Sequence, residues 1–143
     1  MPITSRLASS IAGFALALAA SAASAEVVAV VSAKSPLSSL SKNEVADIFL
    51  GKASRFPDGS TAVPIDQAEG SAVREEFYLK FAGKSPAQLT AHWSKIIFTG
   101  RGQPPRIAST SAELKRLIAE NPGAIGYLEQ NMVDGSVKAL PPP

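Results

Sequence analysis

The sequence predicts an α/β fold, a mixed sheet flanked by helices, and three observations carry that expectation. The run Val27, Val28, Val30 and Val31 is β-branched and apolar on both faces, which suits a strand covered from both sides. Three of the four helix-like segments begin with a Ser or Thr followed three residues later by Glu or Gln, the spacing at which side chains and first-turn amides satisfy each other. Strand-like and helix-like segments alternate in the order β-α-β-α-α-α-β-β, the pattern of helices layered on a sheet.

The fold is expected to begin at Glu26. Arg6 is the only charged side chain before it, Ile11 to Ala20 is an apolar run of mostly small residues, and Ala23-Ser24-Ala25 is a signal-peptidase pattern. That run is too short and too alanine-rich to span about 30 Å of hydrocarbon. Residues 1–25 therefore read as a cleaved signal peptide, residues 26–140 as one domain and Pro141 to Pro143 as a disordered tail, with the periplasm as the expected address. The 118 residues left after cleavage suffice for a single core. Thirteen basic against twelve acidic side chains is a near balance, which speaks against a nucleic-acid partner. The absence of cysteine excludes disulfides, thiolate catalysis and Cys-ligated metals.

Each element has its own warrant. After the valine strand, Ser41 and Glu44 form a capping box with Leu40 and Val45 as a hydrophobic staple; Val45, Ile48 and Phe49 face inward and Gly51 ends the helix. Pro57-Asp58-Gly59 turns the chain into a strand from Thr61 to Ile65, and Pro64, which has no amide proton, places that strand at an edge or stops it. A helix with Val73, Phe77 and Phe81 in register follows and closes at Gly83. The next starts at Ser85 with Pro86 at its first position and Gln88 completing a box, and buries Leu89, Trp93, Ile96 and Ile97. A loop from Thr99 to Arg106 leads to a helix opened by Thr110 and Glu113, with Leu114, Leu117 and Ile118 inward. Asn121-Pro122-Gly123 stops it before a strand from Ala124 to Leu128. Asp134-Gly135 turns into a last strand around Val137 to Leu140.

The helix after Gly70 stands apart from the other three. With Ser71 as its cap, the residue three later is Arg74, which accepts no amide proton, so some first-turn amides lack a side-chain acceptor. Such amides hold an anion or are met by water, and Glu69 is placed to occupy them itself. Elsewhere the chemistry is sparse. His92 is the only histidine, and beside Trp93 on a helix it reads as a packing or surface residue. Arg101 and Arg106 read as a solvated loop, with a second anion or partner contact as the alternative, and Glu75-Glu76 as a water-facing helix side. Neither a catalytic constellation nor a metal or cofactor site is visible.

Four stretches in order, Leu40 to Lys52 (LSKNEVADIFLGK), Glu69 to Phe77 (EGSAVREEF), His92 to Gly102 (HWSKIIFTGRG) and Asn121 to Glu129 (NPGAIGYLE), resemble the second lobe of the phosphate-binding subunit of bacterial phosphate ABC transporters. The resemblance implies a single lobe of a type II periplasmic binding protein, a fold in which two α/β lobes close on an oxyanion. It implies a ligand site at Gln67, Glu69, Gly70, Ser71 and Ala72, with Gly70 and Ser71 matching the family's run directly. The family carries an arginine at the place of Gln67 and a GSGT run where this chain has GSAV, so a guanidinium and a hydroxyl donor are missing; Glu69 stands where the family also has an acidic residue. The implied role is a solute-binding module of phosphate-uptake type, weak as an isolated chain. A homodimer, a second lobe-like chain or a membrane transporter would be its partner. The alternative is a periplasmic interaction or sensor module that kept the fold without the ligand.

Overall fold

Strand β1 (Val27–Ser32) lies inside a five-stranded sheet, and both of its faces are packed, as its two-sided apolar pattern requires. The computed structural model describes residues 26–142; the expected signal peptide lies outside the described residues, as does Pro143. The other strands are β2 (Val63–Gln67), β3 (Arg106–Ala108), β4 (Ala124–Glu129) and β5 (Val137–Ala139), in the spatial order β3-β2-β4-β1-β5. β2 runs parallel to β3 and β4, while β1 is antiparallel to β4 and β5, so the sheet is mixed.

Helices α1 (Lys42–Phe49), α2 (Ala72–Ala82) and α3 (Pro86–Phe98) belong to one face of the sheet, and α4 (Ser111–Glu120) covers the other. Alternation along β1 sends Val27, Ala29 and Val31 into the first cluster and Val30 into the second. The first core is aromatic. Phe77 stacks on Tyr127 with ring centroids 3.9 Å apart and 5° between planes, and Phe49 meets Phe77 edge-on at 4.8 Å. The second core is aliphatic, built from Ile65, Leu114, Ile118 and Leu128. Gly126 belongs to its floor: a β-carbon there would sit 2.9 Å from Leu114 Cδ2 and 3.1 Å from Ile118 Cδ1, so glycine is what lets α4 close on the sheet.

The expected caps form. Ser41 and Glu44 bond reciprocally, as do Ser85 and Gln88; Thr110 Oγ1 accepts the Glu113 amide, and the Glu113 carboxyl reaches back one residue further, to the Ser109 amide. Gly51 and Gly83 follow α1 and α2 with φ of 74° and 63°.

Five expectations are corrected. β3 falls within a stretch read as loop and helix cap; three residues give too short a run for a period-two signal. β2 is neither an edge strand nor ended by Pro64. Val63 donates to the Gly123 carbonyl on the β4 side, so the nitrogen of Pro64 faces the other side, and there β3 pairs only from Ile65 onward. Ile97 is 56% exposed: Leu89, Trp93 and Ile96 form the inward stripe of α3, and Ile97 lies about 100° round the helix from Ile96. In α2 the buried pair is Phe77 and Tyr78, with Val73 and Phe81 half-buried at the rim. Pro141, read as tail, has its carbonyl accept the Leu40 amide at 3.2 Å.

Candidate functional site

The carboxyl ends of β2 and β3 lie side by side, with Gln67 opposite Ala108. From Gln67 the chain turns through Ala68, Glu69 and Gly70 into α2 on the aromatic face; from Ala108 it passes through Ser109 and Thr110 into α4 on the aliphatic face. Two adjacent parallel strands whose connections depart to opposite faces leave a crevice beyond their carboxyl ends, the place where open α/β sheets take ligands. The turn into α2 needs Gly70, whose φ is +85°, and the Ser71 amide closes it on the Ala68 carbonyl at 3.1 Å.

Both helix starts bring amides to this crevice. Ser71 is the cap of α2: its Oγ accepts the Arg74 amide at 3.1 Å, leaving its hydroxyl proton to donate elsewhere. The Ala72 and Val73 amides in α2, and those of Ser111 and Ala112 in α4, have no acceptor among the described residues. Ser111 Oγ donates to Gln67 Oε1 at 3.1 Å and so ties the start of α4 to the end of β2.

The five residues expected at the site divide into two groups. Glu69, Gly70 and Ala72 are exposed and Ser71 is half-exposed, all at the crevice rim. Gln67 lies beneath them, 4% exposed, with its carboxamide engaged at both ends: Nε2 donates to the Tyr127 carbonyl at 2.8 Å while Oε1 accepts from Ser111. It is tied into the fold beneath the rim by one bond at each end of its carboxamide.

Sequence reasoning missed the group that organises this support. Asp66, 2% exposed, accepts from the Tyr78 hydroxyl at 2.6 Å, from the Tyr127 hydroxyl and from the Gln67 amide at 2.8 Å, and Arg74 Nε lies 3.4 Å from the same carboxyl. The Arg74 guanidinium also covers the Tyr78 ring at 5.4 Å. Burial, and then the negative charge of Asp66, push both phenols well above the ordinary tyrosine range. The available signal was an acid within the strand VPIDQ: alternation turns Asp66 away from Ile65 and toward the aromatic face.

The remaining candidates lie elsewhere. His92 Nε2 pairs with the Leu50 carbonyl at 2.8 Å and joins α3 to the end of α1. Arg101 and Arg106 are exposed, as are Glu75 and Glu76. Among the described residues no three His, Asp or Glu side chains converge as metal ligands, and no helix is long and apolar enough to cross a membrane.

No protein-family model and no curated protein matches the chain. Solved structures do. A protein of Clostridium perfringens assigned as a phosphate ABC transporter substrate-binding protein, solved with bound phosphate, superposes with a TM-score of 0.62 at 24% identity over 80% of this chain. An ABC-type phosphate transport receptor from Vibrio cholerae and PstS from Borrelia burgdorferi each superpose over 80% of the chain with a TM-score of 0.54, at 17% and 14% identity. The chain spans 43%, 44% and 46% of the length of those three proteins. Its α/β fold matches one lobe of these substrate-binding proteins, as the resemblance implied.

Proposed function

We propose that the chain is a solute-binding module of phosphate-uptake type, exported to the periplasm, which takes a tetrahedral oxyanion at the crevice beyond β2 and β3. The observation that carries this reading is the arrival of two helix amino ends, α2 and α4, from opposite faces of the sheet at the carboxyl ends of two adjacent parallel strands. Gly70 and Ala72 supply backbone amides and Ser71 its hydroxyl, and Ser111 supports them from α4. Glu69 at the rim accepts the proton of a monohydrogen anion. The role is binding, not catalysis. The phosphate held by the Clostridium perfringens protein supports the choice of ligand class.

A second reading, an interaction or sensor module without a ligand, is favoured by the engagement of Gln67, whose carboxamide nitrogen and oxygen are both bonded within the fold. Calorimetric titration with phosphate and sulfate separates the two. A ligand pocket usually buries about 70 to 90% of its ligand, and one lobe leaves the far side of the anion in water. A helix terminus contributes about 0.3 to 2 kcal/mol and a charge-assisted hydrogen bond about 1.5 to 3 kcal/mol, against an association cost of about 4 kcal/mol or more. The expected dissociation constant of a monomer is therefore about 1 mM or weaker. Tight binding requires a second copy or a second lobe-like chain to close the crevice, with a membrane transporter as a further partner. Ser71→Asp should weaken phosphate binding by supplying an internal acceptor while slightly stabilising the fold. Micromolar binding by a monomer refutes the weak-lobe reading; lower stability with unchanged binding shows Ser71 to be structural only.

A further inference from the structure

The end of β2 opposite the crevice carries a surface of different character. Phe98, the last residue of α3, is 92% exposed, and Ile97 beside it is 56% exposed. Ile97 shares a hollow with Gly102, Gln103 and Pro104, and these last three also line a groove of about 360 Å³ with Val63, Trp93 and Ile96. An aromatic ring left almost wholly in water at a helix end, next to further exposed apolar surface, is what an interaction site looks like before its partner arrives.

Charge identifies the partner. Between Glu76 and Glu113 the sequence holds five Lys or Arg and no Asp or Glu, although the whole chain is nearly balanced. Three of the five, Lys95, Arg101 and Arg106, flank Ile97 and Phe98 in sequence and are exposed. Across the groove, next to Gly51, Ala53 and Ser54 on its far wall, the chain adds Lys52 and Arg55 against Asp47 and Asp58. A second copy of the chain would set like charges against each other here. A second lobe closing the candidate site would sit at the other end of β2.

We infer that this face is a membrane contact: Phe98 and Ile97 enter the head-group region of an anionic bilayer, and Lys95, Arg101 and Arg106 pair with the lipid phosphates around them. An apolar tip within a ring of cations is the composition of surfaces that rest on a membrane without spanning it. Each cation near an anionic surface strengthens binding about fivefold, and a bilayer takes the aromatic ring without a shaped pocket. The contact holds the module at the membrane with its crevice end turned away.

Co-sedimentation with vesicles tests this. The probes are pure phosphatidylcholine and an equal mixture of phosphatidylcholine and phosphatidylglycerol, with wild type and variants carrying the same N-terminus so that residues 1–25 contribute equally. The protein should sediment with the anionic vesicles, less as salt rises, and not with the neutral ones. Phe98→Ser should weaken the partition about tenfold or more, and Lys95→Ala with Arg101→Ala about 25-fold. Leu79→Ser, at an apolar site on α2 that is 65% exposed, should leave it unchanged, and all variants should keep the wild-type melting temperature because every substituted side chain is exposed. Failure to bind anionic vesicles overturns the proposal and points to an acidic protein as occupant of the groove. Equal binding to neutral vesicles, or an equal loss with Leu79→Ser, overturns it as well.

Discussion

The two faces of the sheet reach order by different means. On the aliphatic face, Ile65, Leu114, Ile118 and Leu128 pack on one another, α4 closes where Gly126 lacks a β-carbon, and single hydrogen bonds from Ser32 to the Ala119 carbonyl and from Ser111 to Gln67 tie it near its two ends. On the aromatic face, flat rings at Phe49, Phe77, Tyr78 and Tyr127 can slide or flip, and a buried carboxyl at Asp66 pins two of them by their hydroxyls. The first face is specified mainly by shape and the second by hydrogen bonds that converge on one carboxyl. The candidate site draws on both, because Asp66 faces the aromatic side beside Arg74 of α2 while Gln67, the next residue, is bonded to Ser111 of α4.

If that contrast holds, Asp66→Ala has the largest effect. It strips the acceptor from two buried phenols, removes one of the two acceptors of the buried Gln67 amide and leaves Arg74 without its opposite charge, so the fold should lose about 3 to 5 kcal/mol in urea unfolding. A loss below about 1 kcal/mol would show that the rings pack well enough alone.

An alkaline titration sharpens the comparison next. Below about pH 10 Tyr78 and Tyr127 are protonated in both folded and unfolded chains and contribute no pH dependence. Above it the unfolded chain releases two protons that the native protein retains, because both phenols are raised in the fold, and stability falls as pH rises. The contribution of the pair is about 2.7 kcal/mol per pH unit, and Tyr78→Phe should reduce the slope by about half of that. An unchanged slope in the variant would place the proton linkage elsewhere. The aliphatic face contributes nothing to it.

That face breaks by volume instead. Gly126→Ala drives a β-carbon into Leu114 and Ile118 and should cost about 1 to 3 kcal/mol, with the alkaline slope unchanged. A simultaneous change in that slope would mean that the two faces are coupled through β4.

The same contrast explains what the sequence made legible. Caps at Ser41, Ser85 and Thr110, the inward leucines and isoleucines of α4, and the two-sided valines of β1 announce themselves by local spacing, and all are found. Asp66 does not, because its partners Tyr78 and Tyr127 lie 12 and 61 residues away and no local pattern joins them. The site was half-legible for the same reason. Gly70 and Ser71 are recognisable as a helix start, whereas the burial of Gln67 follows from the backbone of Tyr127 and the hydroxyl of Ser111. β3 was invisible because a three-residue strand is defined by its neighbour, not by its own composition.

The pairing of β1 has a consequence for how the chain comes together in time. Its two neighbours are β4 and β5, so Val27 meets Glu129 and Ser32 meets Val137 across about 100 residues of intervening chain. The strand made first can find its place only when the strands made last are present. Closing so long a loop delays the productive encounter and slows folding. Until then β1 remains an apolar strand with both edges open, which exposes the unfolded chain to aggregation before its far end catches up.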